Sequence, residues 1–207
     1  MTLAADLSAG IEQLGINVSP EAQQKLLSYL ALLQKWNKVY NLTAIREPEQ
    51  MIRHHLLDSL AVEPHLWSGR WLDVGCGAGL PGIVLAIVQP DWSFTLLDSN
   101  SKKTSFVQQA SIELGLKNVV VRCERIEKWE CAEKFDGIIS RAFAETAEFI
   151  SLTRHLLKTG GKWAAMKGVP EQELQNLPND VKVDKIISLH VPKLEATRCL
   201  VILRENK

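Results

Sequence analysis

The chain has 207 residues, with 24 acidic and 24 basic side chains, so its formal charge excludes a global basic field for binding nucleic acid but allows a local basic patch. This length favours one domain with an extension. No apolar stretch is long enough to span a bilayer, no signal peptide pattern opens the chain, and the four cysteines form no C-x-x-C pair, so we expect a cytoplasmic protein without disulfides.

The first third of the chain is predicted to be helical. A helix start is indicated at Ser19 and Pro20, where a capping hydroxyl precedes a proline at the first helical position. Apolar side chains then recur at three- and four-residue steps as far as Tyr40, which marks one apolar face. A second helix is expected to start near Pro48. We therefore expect residues 1–66 to form a helical extension packed on the sheet that follows.

Residues 70–82 combine a short apolar strand, a glycine-rich loop and the start of an apolar helix. Gly75, Gly77 and Gly79 permit a tight turn because no Cβ stands in the way. The helix is expected to open at Leu80. The bare N–H groups of the loop and the positive end of the helix are then expected to face the anionic part of a small ligand.

This glycine loop fits two kinds of nucleotide site. Residues 77–82 match the dinucleotide pattern G-x-G-x-x-G, and Asp98 follows at a suitable distance to accept hydrogen bonds from ribose hydroxyls. Counted from Gly75, however, the third glycine of that pattern would fall on Leu80, so the pattern fails. Asp73 instead gives Asp-x-Gly-x-Gly-x-Gly, which resembles the first motif of class I methyltransferases.

Strand and helix patterns alternate after residue 70. Beyond the first strand, we predict strands at 94–98, 119–121, 135–140 and 163–166, helices at 102–114 and 145–157, and a glycine break at 160–161. This alternation predicts a parallel sheet with helices on both faces.

Two more apolar runs close the chain, at 181–191 and 199–203. The connection between them is too short for a crossover helix, so the two strands should pair antiparallel. Residues 67–207 are therefore predicted to form an α/β domain whose mostly parallel sheet is closed by a C-terminal antiparallel hairpin. This arrangement is typical of class I methyltransferases and leaves no separate substrate domain of the kind that a dehydrogenase carries.

Several motifs are spread over nearly the whole chain. They read Trp-Asn-Lys-x-Tyr-Asn-Leu-Thr at 36–43, His-x-x-Asp-Ser at 55–59, Asp-Val-Gly-x-Gly-x-Gly-Leu-Pro-Gly at 73–82, Leu-Asp-Ser at 97–99, Arg-x-Glu at 125–127, Ser-Arg-Ala at 140–142 and Lys-Gly at 167–168. Together they resemble the RsmG family, also called glucose-inhibited division protein B. Leu-Pro-Gly and Ser-Arg-Ala make the resemblance specific, because class I methyltransferases in general lack them.

The resemblance implies a Rossmann-like methyltransferase that transfers a methyl group from S-adenosylmethionine to N7 of a guanine in 16S ribosomal RNA. On this basis the glycine loop contacts the methionine end of the cofactor, Asp98 the ribose, and Ile126 and Glu127 the adenine. For Glu127, a solvated loop charge is the alternative. The full set of expected cofactor-binding residues is Asp73, Gly75, Gly77, Gly79, Leu80, Asp98, Ile126, Glu127 and Arg141.

RNA must be held by local positive charge, because the chain as a whole is neutral. Arg125, Arg141 and Lys167 follow parallel strands and should project at the cofactor end of the sheet, where they and His55 are expected to position the substrate. Arg141 is expected to be an exposed charge in a loop. The sequence does not decide whether it contacts guanine O6, a phosphate or the cofactor. For His55 and Asp58, a position on the helix surface or a helix-capping role is as well supported by the sequence as a functional role.

No acid or base is assigned, because guanine N7 has a lone pair and no proton. No metal site is expected either, since no third ligand joins His55 and Asp58 at a suitable spacing. We expect a monomer whose partner is 16S ribosomal RNA or the small ribosomal subunit. Three alternatives stay open: a nicotinamide-dependent oxidoreductase, a methyltransferase for proteins or small molecules, and a non-enzymatic RNA-binding module.

Overall fold

The computed structural model describes residues 2–141, 143, 145–169 and 173–206. Its centre is one seven-stranded sheet. The strands are β1 (Arg70–Val74), β2 (Ser93–Asp98), β3 (Val119–Cys123), β4 (Phe135–Ser140), β5 (Leu157–Lys167), β6 (Val181–Leu189) and β7 (Arg198–Glu205). Their order across the sheet is β3-β2-β1-β4-β5-β7-β6. Strands β1 to β5 run parallel, and β7 lies antiparallel between β5 and β6. The prediction of a mostly parallel sheet with a C-terminal antiparallel hairpin is confirmed.

Helices cover both faces of this sheet. The α-helices are α1 (Leu3–Leu14), α2 (Pro20–Tyr40), α3 (Pro48–Met51), α4 (Asp58–Leu60), α5 (Gly82–Val88), α6 (Ser101–Glu113) and α7 (Thr146–Thr153). A π-helical segment, Ile52–Leu57, joins α3 to α4, and short 3₁₀ turns occupy Glu63–His65, Ile126–Lys128, Arg154–Leu156 and Glu173–Asn176. Within the described part of the chain, no helix combines the length and the hydropathy that a membrane crossing requires.

The N-terminal helices share a hydrophobic core with one face of the sheet. The start of α2 is the predicted one, because Ser19 Oγ accepts a hydrogen bond from the Ala22 N–H at 3.2 Å. Leu26 and Leu30 on its apolar face belong to the same buried cluster as Ile83 of α5 and Phe106 of α6. The apolar stripe of α2 is therefore covered by the helices that follow the first two strands.

A second buried cluster lies on the opposite face of the sheet. Leu72, Ile138 and Val201 point to this side, where Phe149 of α7 covers them. Successive residues of β1 thus alternate between the two cores, since Trp71 belongs to the first cluster and Leu72 to the second. Both faces of β1 are buried, as expected for a strand inside a parallel sheet.

The glycine pair at 160–161 lies inside β5, so the prediction of a break before the fifth strand was wrong. Pairing between β4 and β5 jumps from Phe135 with Leu157 to Gly137 with Lys162, which leaves extra residues on β5. Gly160 has φ +81°, a left-handed conformation that absorbs this irregularity. The glycines therefore mark a bulge within a strand rather than the end of a connection.

One edge of the sheet gathers the functional part of the molecule. The carboxyl ends of the parallel strands β1 to β5 lie there together. Because β7 is antiparallel, its amino end lies at the same edge, and Cys199 of β7 pairs with Lys167 at the end of β5. Side chains at the start of β7 therefore join those that follow the parallel strands.

Candidate active site

Two cavities open at the carboxyl edge of the sheet. The glycine-loop cavity has a volume of about 340 Å³ and is lined by Gly75, Asp98, Arg125, Ile126 and Glu127, among others. The basic cavity has a volume of about 470 Å³ and is lined by His54, His55, Asp58, Arg141, Lys167 and Arg198, among others. Phe143 lines both cavities. A ligand in one cavity would therefore lie next to a ligand in the other.

The glycine loop is built from left-handed backbone conformations. Gly75, Gly77 and Gly79 have φ values of +67°, +58° and +89°, which side chains with a Cβ adopt at a cost. At Gly79 an added Cβ would also lie 2.6 Å from Cγ1 of Ile83. Gly79 is therefore needed for the packing of α5, which begins at Gly82 and so two residues later than predicted.

The amides of this loop are hydrogen-bonded within the protein. The N–H groups of Gly75 and Cys76 donate to the Leu97 carbonyl at 2.8 and 3.1 Å, and those of Gly79 and Leu80 donate to the Cys76 carbonyl at 2.8 and 2.9 Å. The prediction that these N–H groups are bare and face a ligand was wrong. The tight turn pairs these N–H groups with carbonyls of the protein instead. Leu80, which was predicted to bind the cofactor, has its N–H bonded in this way and its side chain buried.

Asp73 lies fully buried beneath the loop. Its Oδ2 accepts a hydrogen bond from the Gly82 N–H at 2.8 Å, which ties the end of β1 to the first residue of α5. Among the described residues, none donates to its Oδ1. Burial raises the pKa of Asp73 to about 7, and the bond from Gly82 opposes that rise. Asp73 therefore ties β1 to α5 through one oxygen, while its other oxygen is buried without a partner among the described residues.

Asp98 at the end of β2 has its carboxylate held by two backbone N–H groups. Its Oδ2 accepts a hydrogen bond from the Gly77 N–H at 2.9 Å, and its Oδ1 accepts one from the Asn100 N–H at 2.8 Å. Each oxygen keeps a lone pair, so the carboxylate can accept two further hydrogen bonds from ribose hydroxyls. The glycine loop and this carboxylate, which line the same cavity, together suit the ribose of a nucleoside cofactor.

Ile126 and Glu127 lie where an adenine was predicted. Both belong to the short 3₁₀ turn after β3, and both line the glycine-loop cavity. Ile126 is buried and Glu127 is exposed, so an apolar surface lies beside a carboxylate. Arg125, predicted to position the substrate, lines this cavity too and does not line the basic one.

Three charged side chains meet in the basic cavity. Nη1 of Arg141 donates to Oδ2 of Asp58 at 3.3 Å, and Nε of Arg198 donates to Oδ1 at 3.0 Å. Arg141 also donates to the His54 carbonyl at 3.0 Å. Arg141 was expected as an exposed loop charge, but its side chain is only 27% exposed and is ion-paired. It lines the basic cavity rather than the glycine-loop cavity.

His55 and Lys167, which were predicted to position the substrate, also line the basic cavity. Nε2 of His55 is 2.9 Å from Oγ1 of Thr43, and its buried Nδ1 has no partner among the described residues. Burial and the positive charge of Arg141 lower the pKa of His55 to about 4, so this imidazole is neutral at pH 7. Nζ of Lys167 donates to the Phe143 carbonyl at 2.9 Å.

Sequence reasoning missed Arg198 and left Asp58 open. Arg125, Arg141 and Lys167 were predicted from their places near the carboxyl ends of parallel strands, whereas Arg198 begins an antiparallel strand and reaches the same edge from the other direction. The predicted hairpin contained this signal, because it reverses the direction of the last strand. Ala142 of the Ser-Arg-Ala motif lies outside the described residues.

The helical extension also contacts the glycine loop directly. The buried Tyr29 hydroxyl of α2 donates a hydrogen bond of 2.6 Å to the Ala78 carbonyl. Burial raises the pKa of Tyr29 above its usual value, so the hydroxyl keeps its proton. The conformation of the loop therefore depends on α2 as well as on the sheet.

The model of one protein family, described as rRNA small subunit methyltransferase G, matches residues 22–201. The chain is also 55% identical to the ribosomal RNA small subunit methyltransferase G of Laribacter hongkongensis, over 98% of this chain and 99% of that protein. The chain belongs to the rRNA small subunit methyltransferase G family. This family membership makes it a methyltransferase dependent on S-adenosylmethionine and decides against a nicotinamide-dependent oxidoreductase.

Solved structures support the fold of this family member. It is similar to a SAM-dependent methyltransferase from Aquifex aeolicus, with a TM-score of 0.59 and 18% identity over 79% of this chain and 96% of that one. A SAM-dependent methyltransferase from Thiobacillus denitrificans in complex with S-adenosyl-L-homocysteine has a TM-score of 0.56 and 16% identity, over 82% and 98% of the two chains. The predicted family, fold, enzyme class and cofactor are confirmed.

Asp73 should make the stability of this rRNA small subunit methyltransferase G family member depend on pH. Its pKa is about 7 in the folded protein against an ordinary value of 3.8, so the folded state binds the proton more tightly. The free energy of unfolding therefore falls as pH rises through that interval. Asp73→Asn removes this titration, so the stability of the variant relative to wild type should rise between pH 4 and pH 7, by on the order of 4 kcal/mol.

Urea unfolding at a series of pH values measures this difference. The exposed Asp91 supplies a matched control, since Asp91→Asn removes a carboxylate that is not buried. A stability difference between Asp73→Asn and wild type that stays constant with pH would contradict the prediction.

Asp98 should hold the cofactor of this family member. Asp98→Ala removes both acceptors for the ribose and leaves the Gly77 and Asn100 amides without their partner, so we expect S-adenosylmethionine to bind at least about tenfold more weakly. Titration calorimetry with S-adenosylmethionine measures the affinity, with the exposed Asp91→Ala as control. Equal affinities for wild type and Asp98→Ala would show that the ribose assignment is wrong.

Proposed function

We propose that this protein transfers a methyl group from S-adenosylmethionine to N7 of a guanine in 16S ribosomal RNA. The observation that supports this most directly is the pair of adjoining cavities that share Phe143. One of them offers acceptors for a nucleoside, and the other offers cations for RNA. Methyl transfer needs the two reactants side by side, and this arrangement supplies that proximity.

In this proposal the glycine-loop cavity holds the cofactor. S-adenosylmethionine supplies the methyl group on a positively charged sulfonium. Asp98 accepts hydrogen bonds from the ribose, Ile126 and Glu127 flank the adenine, and the loop from Gly75 to Gly79 faces the methionine end. Asp73 supports the loop from beneath through its bond to the Gly82 N–H.

The basic cavity takes the RNA. Arg141, Arg198 and Lys167 line it with three positive charges, of which the Asp58 carboxylate offsets one. The guanidinium forks suit phosphate oxygens and guanine O6, which accept paired hydrogen bonds. His55 is neutral and adds a directed polar contact rather than charge. Arg125 lies at the glycine-loop cavity, where it faces either the cofactor or the RNA strand that leaves the site.

The chemistry requires positioning rather than proton transfer. Guanine N7 carries an in-plane lone pair and no proton, so none of the described residues needs to act as a base. Holding two reactants in line can supply roughly 7 to 11 kcal/mol of the barrier. The methylated guanine ring of the product carries a positive charge. The Asp58 carboxylate offsets one cation of the cavity and His55 adds none, so this ring is repelled less than it would be by three unopposed cations.

The domain organisation follows the same proposal. Residues 1–66 form the helical extension, and residues 67–207 form the methyltransferase domain. The hydrogen bond from Tyr29 to the Ala78 carbonyl and the shared hydrophobic core support a single working unit. The protein acts as a monomer in the cytoplasm, where its partner is 16S ribosomal RNA or the small ribosomal subunit.

Mapping of 7-methylguanosine tests the proposed function. We expect wild-type protein, S-adenosylmethionine and small-subunit RNA from a strain lacking this gene to yield one new site of borohydride and aniline cleavage, read by primer extension. Asp98→Ala serves as a negative control with a weakened cofactor site, and the same RNA inside assembled subunits shows which form is the substrate. Methyl incorporation into protein alone, or no RNA cleavage under any condition, would overturn the proposal.

Arg141→Ala should separate RNA positioning from cofactor binding. We expect methyl transfer to fall at least about tenfold, since one cation of the basic cavity is lost. The affinity for S-adenosylmethionine should stay unchanged, because Arg141 lines the other cavity. Stability should also fall by about 1 to 3 kcal/mol, because the buried Asp58 loses one of its partners.

Radioactive methyl transfer, calorimetry and urea unfolding measure these three quantities. Lys25→Ala is the matched control, because it removes a half-buried, ion-paired cation of α2 that lines neither cavity. A parallel loss of cofactor affinity and activity would assign Arg141 to the cofactor. Unchanged activity with reduced stability would make Arg141 structural.

A further inference from the structure

Asp58 occupies an unusual position for a charged side chain. Its side chain is only 3% exposed, while the two arginines that it contacts are 27% and 28% exposed and line the basic cavity. The carboxylate is thus much more deeply buried than the two arginines beside which it lines the cavity. Asp58 makes no capping hydrogen bond to α4, and its burial excludes duty on the helix surface.

The three residues come from separate parts of the chain. Asp58 belongs to the helical extension, Arg141 follows β4, and Arg198 begins β7. Each arginine has a second anchor, since Arg141 donates to the His54 carbonyl and Arg198 donates to the Thr197 carbonyl, both at 3.0 Å. None of the described residues accepts a hydrogen bond from Nη2 of either arginine. Each guanidinium is therefore fixed on one side and has donors left for a ligand.

We propose that Asp58 is a positioning residue that holds Arg141 and Arg198 side by side, so that both guanidinium groups grip one phosphate of the RNA and place the target base at the cofactor. This inference rests on the proposed function and assigns to Asp58 a role that acts through the two arginines. A buried carboxylate shared by two arginines fixes their mutual orientation, because separating either of them leaves buried charge unpaired. Two planar forks at a fixed spacing match the several oxygens of a phosphate.

The positioning role predicts a specific kinetic signature for Asp58→Asn. Loss of the carboxylate raises the net positive charge of the cavity by one, which favours attraction of RNA, while the arginines lose their common anchor. We therefore expect kcat for methylation of 16S ribosomal RNA to fall at least about tenfold, with KM for the RNA unchanged or lowered. The affinity for S-adenosylmethionine should stay within about twofold of wild type.

Asp184 provides a matched control. It lies between Lys162 and Arg204, at 2.8 and 3.0 Å, and so repeats the arrangement of one carboxylate with two cations outside both cavities. Asp184→Asn removes the same charge, and we expect kcat and KM at the wild-type level. A charge effect that spreads through the whole protein would change both variants alike.

A second variant keeps the test decisive if Asp58→Asn does not fold. Arg198→Lys keeps the positive charge and a possible bond to Asp58 but lacks the planar fork. We expect kcat to fall at least about fivefold with KM for the RNA unchanged, and the control Arg204→Lys to behave as wild type. Arg198→Lys combined with Asp58→Asn should be no worse than the more impaired single variant, because both changes break the same unit.

Several outcomes would overturn the inference. Unchanged kcat in Asp58→Asn or in Arg198→Lys would show that the paired arrangement is not needed. A raised KM with constant kcat would restrict Asp58 to ground-state binding, and a loss of cofactor affinity in step with activity would assign it to the glycine-loop cavity. Failure of the proposed function is distinguishable, because the wild type itself would then transfer no methyl group to the RNA.

Discussion

A buried carboxylate must find a positively polarised partner, and this constraint determines the geometry of the whole site. Asp73 meets it with the Gly82 N–H, which fixes the start of α5 relative to the end of β1. Asp58 meets it with two arginines from distant strands. The first carboxylate shapes the loop beneath one cavity, and the second shapes the wall of the other. Both cavities thus depend on acids that a ligand need not touch.

Much of the fold could be predicted because the relevant signals are local. Alternating strand and helix patterns imply a parallel sheet, and the short connection before β7 implies an antiparallel pair. The glycine pair at 160–161 wrongly predicted a break before the fifth strand. A glycine in the left-handed conformation occurs in a β-bulge as well as in a turn, and only the pairing of β5 with β4 distinguishes the two. The bonded amides of Gly75 and Cys76 escaped prediction for a similar reason, since their acceptor, the Leu97 carbonyl, belongs to a neighbouring strand.

The site was predictable where function follows strand order. Asp98 and Lys167 end parallel strands and Ile126 and Arg141 come after them, and each of the four lines one of the two cavities. Asp58 could not be assigned in this way, because it lies on a helix whose orientation depends on packing. Its role as partner of two arginines is a property of three elements at once, which no single stretch of sequence expresses.

The contact between α2 and the glycine loop has a consequence for the order of events during synthesis. Helix α2 packs on α5 and α6 and bonds through Tyr29 to a loop that is translated later. The growing chain therefore carries an uncovered apolar helix until the first two strands and their helices have emerged from the ribosome. The apolar face of α2 is made well before the helices that cover it, so a nascent chain stalled before α6 would expose the surface that chaperones bind.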